Sequence, residues 1–245
     1  MFRAFRHGEE RLFPIISILH STRLRARLGY HIQQEYCLRE PGQRVASHEK
    51  SNNSKRMETI LSLCIGIGLS AACGFRIFVP FLITSIAAHS GHVSLTPSFQ
   101  WIGSDPALIA FGAATLLEIA AYYVPWLDNL LDTVATPVAI VAGTILTASV
   151  VTEVSPFLKW TLAVIAGGGA AGLVQAATVV ARGASSATTG GLANPVLATA
   201  ELGGSVAASL LSLIAPMVAI CLLVTVLLLA GRKYLHHRIQ KPAAQ

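Results

Sequence analysis

Downstream of residue 57 the chain alternates long apolar runs with short polar links, the pattern of helices that cross a bilayer. The runs predict five spans, at residues 60–88, 106 to about 123, about 133 to 151, 157–181 and about 199 to 230. The first run is about 29 residues long, more than one crossing of a ~30 Å hydrocarbon core requires. It is interrupted only at Cys73-Gly-Phe-Arg76-Ile-Phe-Val-Pro80, so it must tilt, kink at Pro80 or break. Turn signals mark the links: Gly91, Pro97 and Ser104-Asp-Pro106, then Glu153, Ser155 and Pro156, then a Gly/Ser/Thr-rich stretch over 182–195. The reading is an all-α, polytopic helical membrane protein with about five transmembrane helices.

Composition agrees. Hydrophobic residues make up 53% and charged residues 12%, about half the charged share of an average soluble domain. Mean hydropathy is +0.60. The net charge of +6 is local: residues 1–56 hold 11 Lys/Arg against 5 acids, and 57–245 hold 7 of each. The basic balance therefore belongs to a leader, and no nucleic-acid partner is implied. The leader's apolar patch, Leu12-Phe-Pro-Ile-Ile-Ser-Ile-Leu19, is too short to span and lacks a small-residue cleavage site. Its acids argue against a transit peptide. Residues 1–56 are expected to be a basic leader, disordered or not translated, with Met57 as the start. Residues 57–231 form the membrane domain and 232–245 a basic cytoplasmic tail.

Parity of five spans puts the basic tail and Lys159 on one side of the membrane, side B, which the positive-inside rule makes cytoplasmic. The N-terminus, the Asp128/Asp132 stretch and the 182–194 link fall on side A. A translated leader with 11 basic residues would then lie outside. Either the leader is not made, or the first or fifth run is broken into an extra pass. A weak internal repeat lays 129–146 over 194–211, matching Asn129/Asn194, Ala135/Ala200, Val141/Val206, Ala142/Ala207 and Leu146/Leu211. It implies parallel repeats about an axis along the membrane normal.

Charges inside a bilayer cost several kcal/mol and are paired, interfacial or functional. Arg76 either faces an anionic group, pairs with Glu118, or snorkels to side B. Glu118 lies about 18 Å into its helix, as a proton carrier or as a structural partner of Arg76. Asp128 and Asp132 share a face if helical; they bind a cation, serve acid/base chemistry, or cap the third span. Arg182 and Glu201 flank one link and are expected to pair. Residues 185–191 read as a re-entrant loop or a linker. The candidate substrate site is Arg76, Glu118, Asp128, Asn129, Asp132, Asn194 and Glu201, with no catalytic residue and no metal ligand assigned.

Four cysteines show no CxxC and no framework spacing. No Walker loop, Rossmann fingerprint or haem motif is present, and no cofactor is expected. Partners are the lipid bilayer and a homodimer through the Gly-rich fourth span, where Gly168 and Gly172 form a GxxxG.

Four stretches carry a family resemblance: Gly68-Leu-Ser-Ala-Ala-Cys-Gly-Phe-Arg-Ile-Phe-Val-Pro80, Glu118-Ile-Ala-Ala-Tyr-Tyr-Val-Pro-Trp-Leu-Asp-Asn-Leu-Leu-Asp132, Ala135-Thr-Pro137 and Ser186-Ala-Thr-Thr-Gly-Gly-Leu-Ala-Asn-Pro195. They resemble the bacterial membrane-protein family of domain of unknown function 4126, over about 57–230. The resemblance implies a small multi-span protein and carries over no catalytic residue. The first functional expectation is a small permease or channel-like protein of the bacterial plasma membrane, moving a small polar or ionic solute. A non-transporting scaffold or assembly factor is second, and a lipid-modifying enzyme with a metal on Asp128 and Asp132 third.

Overall fold

The computed structural model describes the backbone of residues 41–121 and 125–239, and side chains at 49–121, 134–229, 231 and 232. The chain divides into two compact units, Met1–Ser54 and Lys55–Gln245. Of the first, only the opening turns of α1 (Pro41–Cys73) are described. After α1 come α2 (Phe78–His89), a 3-10 turn (Pro97–Gly103), α3 (Asp105–Ala121) and α4 (Pro125–Val150). Then follow α5 (Pro156–Leu162), which continues through a π-helical turn (Ala163–Gly168) into α6 (Gly169–Thr189), then α7 (Asn194–Ile214) and α8 (Pro216–Ile239). No strand occurs among the described residues. The protein is all-α and polytopic.

The order of contacts along α7 fixes the path of the first apolar run. Moving down α1 to the bend, Gly68 meets Ser212, Ser205 donates to the Ala72 carbonyl, and Arg76 reaches Ala198. So α1 runs antiparallel to α7. Beyond Arg76 the order reverses: Ile83, Ile86, Ala87 and Ser90 line one groove with Leu210, Leu213 and Ile214. So α2 runs parallel to α7. The run 60–88 is therefore a helical hairpin that dips in from side B and returns to it, bending at 74–77. Gly74 is required there, because a Cβ would fall 2.5 Å from Val174 Cβ and 2.6 Å from the Ala171 carbonyl.

The remaining passes alternate in direction. α3 leaves side B, where Gly103 packs on Ala88, and Glu118 arrives at the hairpin tip. α4 returns, ending where Thr96 N–H donates to the Ser149 carbonyl (2.8 Å). α5 and α6 descend from the aromatic pair Phe99/Trp160 to Arg182. α7 then rises and α8 descends again, with Leu223 packed beside Ala71 and Val174. Small residues let these backbones approach. A Cβ on Gly143 would strike Ala171, and Gly167 faces Thr147. Ser70 bonds both the Gly143 carbonyl (2.5 Å) and Thr147 Oγ1 (2.7 Å), the small-and-hydroxyl packing that substitutes in lipid for a hydrophobic driving force.

Several expectations change. Among the described residues three helical stretches have the length and apolarity to cross a membrane: Glu49–Cys73, Pro156–Thr189 and Asn194–Ile214. A fourth joins them if the 3-10 turn and α3, bent by 63°, form one span. The first run has that length but doubles back at 74–77. The fifth run breaks at Ala215, so α7 and α8 form a second hairpin. As a result Lys159 and α8's C-terminal end lie on opposite sides, not both on side B, whereas Lys55 and Arg56 join Lys159 on side B. The 185–191 stretch is helical to Thr189 and then turns through left-handed Gly190 and Gly191. It is not a re-entrant loop. Gly168 and Gly172 face Ile140 and Thr144 of the chain's own α4, so the close approach they permit is intramolecular.

The repeat has a geometric counterpart. α4 and α7 run in the same direction. Thr147 and Ser212, matched by the same register one position past the aligned stretch, both pack on α1, at Gly66 and Gly68 respectively.

Candidate functional site

The hairpin tip creates an electrostatic problem. Breaking a helix in lipid leaves the first N–H groups of α2 without partners, and water is absent to take them. Glu118 of α3 supplies both acceptors. Its Oε1 takes the Ile77 N–H at 2.7 Å and its Oε2 takes the Phe78 N–H at 3.0 Å. The carboxyl acts as an N-cap imported from another helix, where negative charge also complements the α2 dipole. Pro80 fits the same geometry, since a proline in the first turn removes an N–H that has no helical partner. On the other strand of the hairpin, the Gly74 and Arg76 N–H groups bond the Ala71 and Ala72 carbonyls (3.0 and 3.2 Å).

Arg76 is 2% exposed. Its Nη2 donates to the Ala198 carbonyl at 2.8 Å and lies 3.9 Å from Glu201 Oε2. Arg182 of α6 grips the same carboxylate with a fork, Nε to Oε1 at 3.0 Å and Nη2 to Oε2, the bidentate geometry that arginine favours. Glu201 is 4% exposed and Arg182 5%. The hairpin tip, α3, α6 and α7 thus meet on four buried ionisable side chains, two cationic and two acidic.

Depth follows from α7. Its 21 residues extend roughly 31 Å, about one hydrocarbon core. Glu201 comes seven residues after Asn194, so the cluster sits about 10 Å in from side A. Arg76 does not snorkel to side B; it lies near the opposite face.

The sequence-based candidates therefore divide. Arg76, Glu118 and Glu201 come together, and Arg182, expected as the partner of Glu201, belongs with them. Glu118 is not the direct partner of Arg76; its oxygens are taken by backbone. Asn194 closes the 190–193 turn by donating to Ser186 Oγ at 3.1 Å. The side chains of Asp128, Asn129 and Asp132 lie outside the described residues, on a stretch whose backbone is helical. Sequence reasoning missed Ser205, which is buried and bonds the Ala72 carbonyl at 3.1 Å. The run Glu201, Ser205, Ser209, Ser212 at helical spacing is the signal that marks this polar face. Among the described residues no group of three or more His, Cys, Asp or Glu could hold a metal ion.

A family model described as Domain of unknown function (DUF4126) matches residues 63–235, and the chain belongs to that family. No curated protein and no solved structure matches it.

Proposed function

We propose that the protein is a small permease or channel-like transporter of a bacterial plasma membrane, moving a small polar or ionic solute past the tip of the α1/α2 hairpin. The observation that carries this reading is a broken helix ending about 10 Å inside the bilayer on four buried ionisable residues. Transporters build midplane sites from interrupted helices whose ends and charges face the solute, commonly between repeated units. Irregular backbone at depth is otherwise an unnecessary expense for a bundle. Arg76, Glu118, Arg182 and Glu201 would form the binding surface. Access would come from side A, past the 190–193 turn.

The tight fork between Arg182 and Glu201 favours the alternative of a scaffold, in which the charges serve helix association alone. Cysteine accessibility separates the two. With the native cysteines replaced, Ala198→Cys and Phe78→Cys are expected to react with a small impermeant thiol reagent from side A, and excess guanidinium ion should slow the reaction. Protection of both positions from either side would sink the transport reading and leave the scaffold.

A further inference from the structure

The two acids of the cluster are held in different ways. Glu201 is gripped by the Arg182 guanidinium and has Arg76 at 3.9 Å. Its carboxylate lies between two guanidinium groups. Glu118, 7% exposed, has no cation within 4.0 Å among the described residues. Among the described residues its oxygens meet the neutral N–H groups of Ile77 and Phe78. The charged and titratable groups around it, among the described residues, are Arg76 at the tip, Cys73 on α1, Arg182 on α6 and, beyond them, Glu201 on α7. The guanidiniums act on it across space without contact. A buried carboxylate held by neutral donors keeps both protonation states within reach, because adding a proton breaks no ion pair.

Protonation has a defined mechanical consequence. An ionised carboxylate accepts through both oxygens, whereas a carboxylic acid turns one of them into an O–H donor. That oxygen cannot face an N–H. One of the two bonds to the start of α2 must then open, and this is the point that anchors the hairpin tip. A metal cation is a poorer fit, since it would have to displace both N–H groups.

We propose that Glu118 is a proton-binding site, that the proton loosens the tip of the α1/α2 hairpin, and that the proton is therefore the coupling ion of the transporter. The proton arrives from water on the near side A and converts the carboxylate to the acid. The Ile77 or Phe78 N–H gives up its acceptor, and loss of the proton restores both bonds. The coupling role rests on the transport reading above; the proton site does not.

The test uses the full chain in lipid vesicles. On acidification, infrared difference spectra should gain the carbonyl stretch of a protonated carboxyl, and Glu118→Gln should lack it. Phe78→Cys, in a background without the native cysteines, should label roughly tenfold faster at acid pH, the effect of losing one hydrogen bond to a charged acceptor. Combined with Glu118→Gln, an amide that accepts through one oxygen only, labelling should be fast at every pH. Glu118→Asp keeps the titration and guards against misfolding of the glutamine variant. An acid band that persists in Glu118→Gln, or labelling that does not change with pH, would overturn the proposal. Vesicles loaded with the pH dye pyranine then separate the two readings. Proton flux lost in Glu118→Gln supports both. The band and the labelling change without flux uphold the proton site but overturn transport and the coupling role with it. Flux unchanged in Glu118→Gln upholds transport and overturns the coupling role.

Discussion

Two long apolar runs break into hairpins, and they do so under opposite conditions. The α1/α2 break at 74–77 lies inside the bilayer. It is surrounded by Glu118, Arg76, Ser205 and the bare backbone contact of Gly74 on α6. The α7/α8 break is a single residue, Ala215, at the level of Cys64 near side B. There the Ala215 N–H still bonds Leu211 (2.8 Å) and its carbonyl accepts from Ala219 (3.1 Å). Pro216 removes one of the N–H groups that the start of α8 would otherwise leave over. The break at a helix end carries a proline and draws no side-chain partner for its backbone among the described residues, whereas the break at depth draws polar groups from three other helices. Polar residues at the first break therefore carry large energies and those at the second carry small ones.

That contrast can be attacked in order of expected size. Glu201→Ala should have the greatest effect, because it removes from a low-dielectric interior the carboxylate that Arg182 grips and Arg76 approaches. A loss of about 3–5 kcal/mol is expected, read by reversible unfolding in mixed micelles. A loss below about 1 kcal/mol would mean that water reaches the cluster and that the tip is wet. Glu118→Ala comes next. It leaves two buried N–H groups without an acceptor, at about 1–3 kcal/mol each. Glu118→Gln, which keeps one acceptor, should fall roughly midway; equal losses for the two would show that the second bond is not made. Gly74→Ala should cost about 1–3 kcal/mol by overpacking, since the added carbon meets the backbone of Ala171 and Gln175 as well as Val174. Indifference to this change would mean that the hairpin does not seat on α6.

Much of this was legible from residue types. Hydropathy identifies a helical membrane protein, and charge rarity in such a chain singles out Arg76, Glu118 and Glu201 without any geometry. The pairing of Arg182 with Glu201 follows from their flanking one link. What hydropathy could not show is the direction of the chain after Arg76, because Ile77-Phe-Val-Pro80 is as apolar as a continuing span. Two signals favour a helix start there over a kink. Pro80 suits a first turn, and Arg76, the cation expected for Glu118, has Glu201 as a second acid to serve. The partner of Glu118 escaped notice because it is backbone, and a free N–H exists only once the break is known. Topology follows the same break: counting one crossing for a hairpin sets the 11 basic residues of 1–56 against the positive-inside rule, and of the two resolutions that leaves, the broken run is the one seen. Lys55 and Arg56 in fact share side B with Lys159.

The smallest effect is the most pointed control. Pro216→Ala restores an N–H at the first position of α8, where a helix leaves that group free in any case. Its surroundings are lightly packed, with Ile214 81% exposed and Met217 55%, so no cavity forms. A change within about 0.5 kcal/mol is expected, with the α7/α8 hairpin intact because Ala215 holds its non-helical conformation (φ −140°, ψ 69°). Cross-linking of Cys64 to a cysteine placed at Met217 measures the intact hairpin directly, as the native sulfurs already sit 3.8 Å apart. If Pro216→Ala abolishes that cross-link, α7 and α8 have fused into one straight helix. The proline is then what forces the turn, and the second break depends on its residue as strongly as the first.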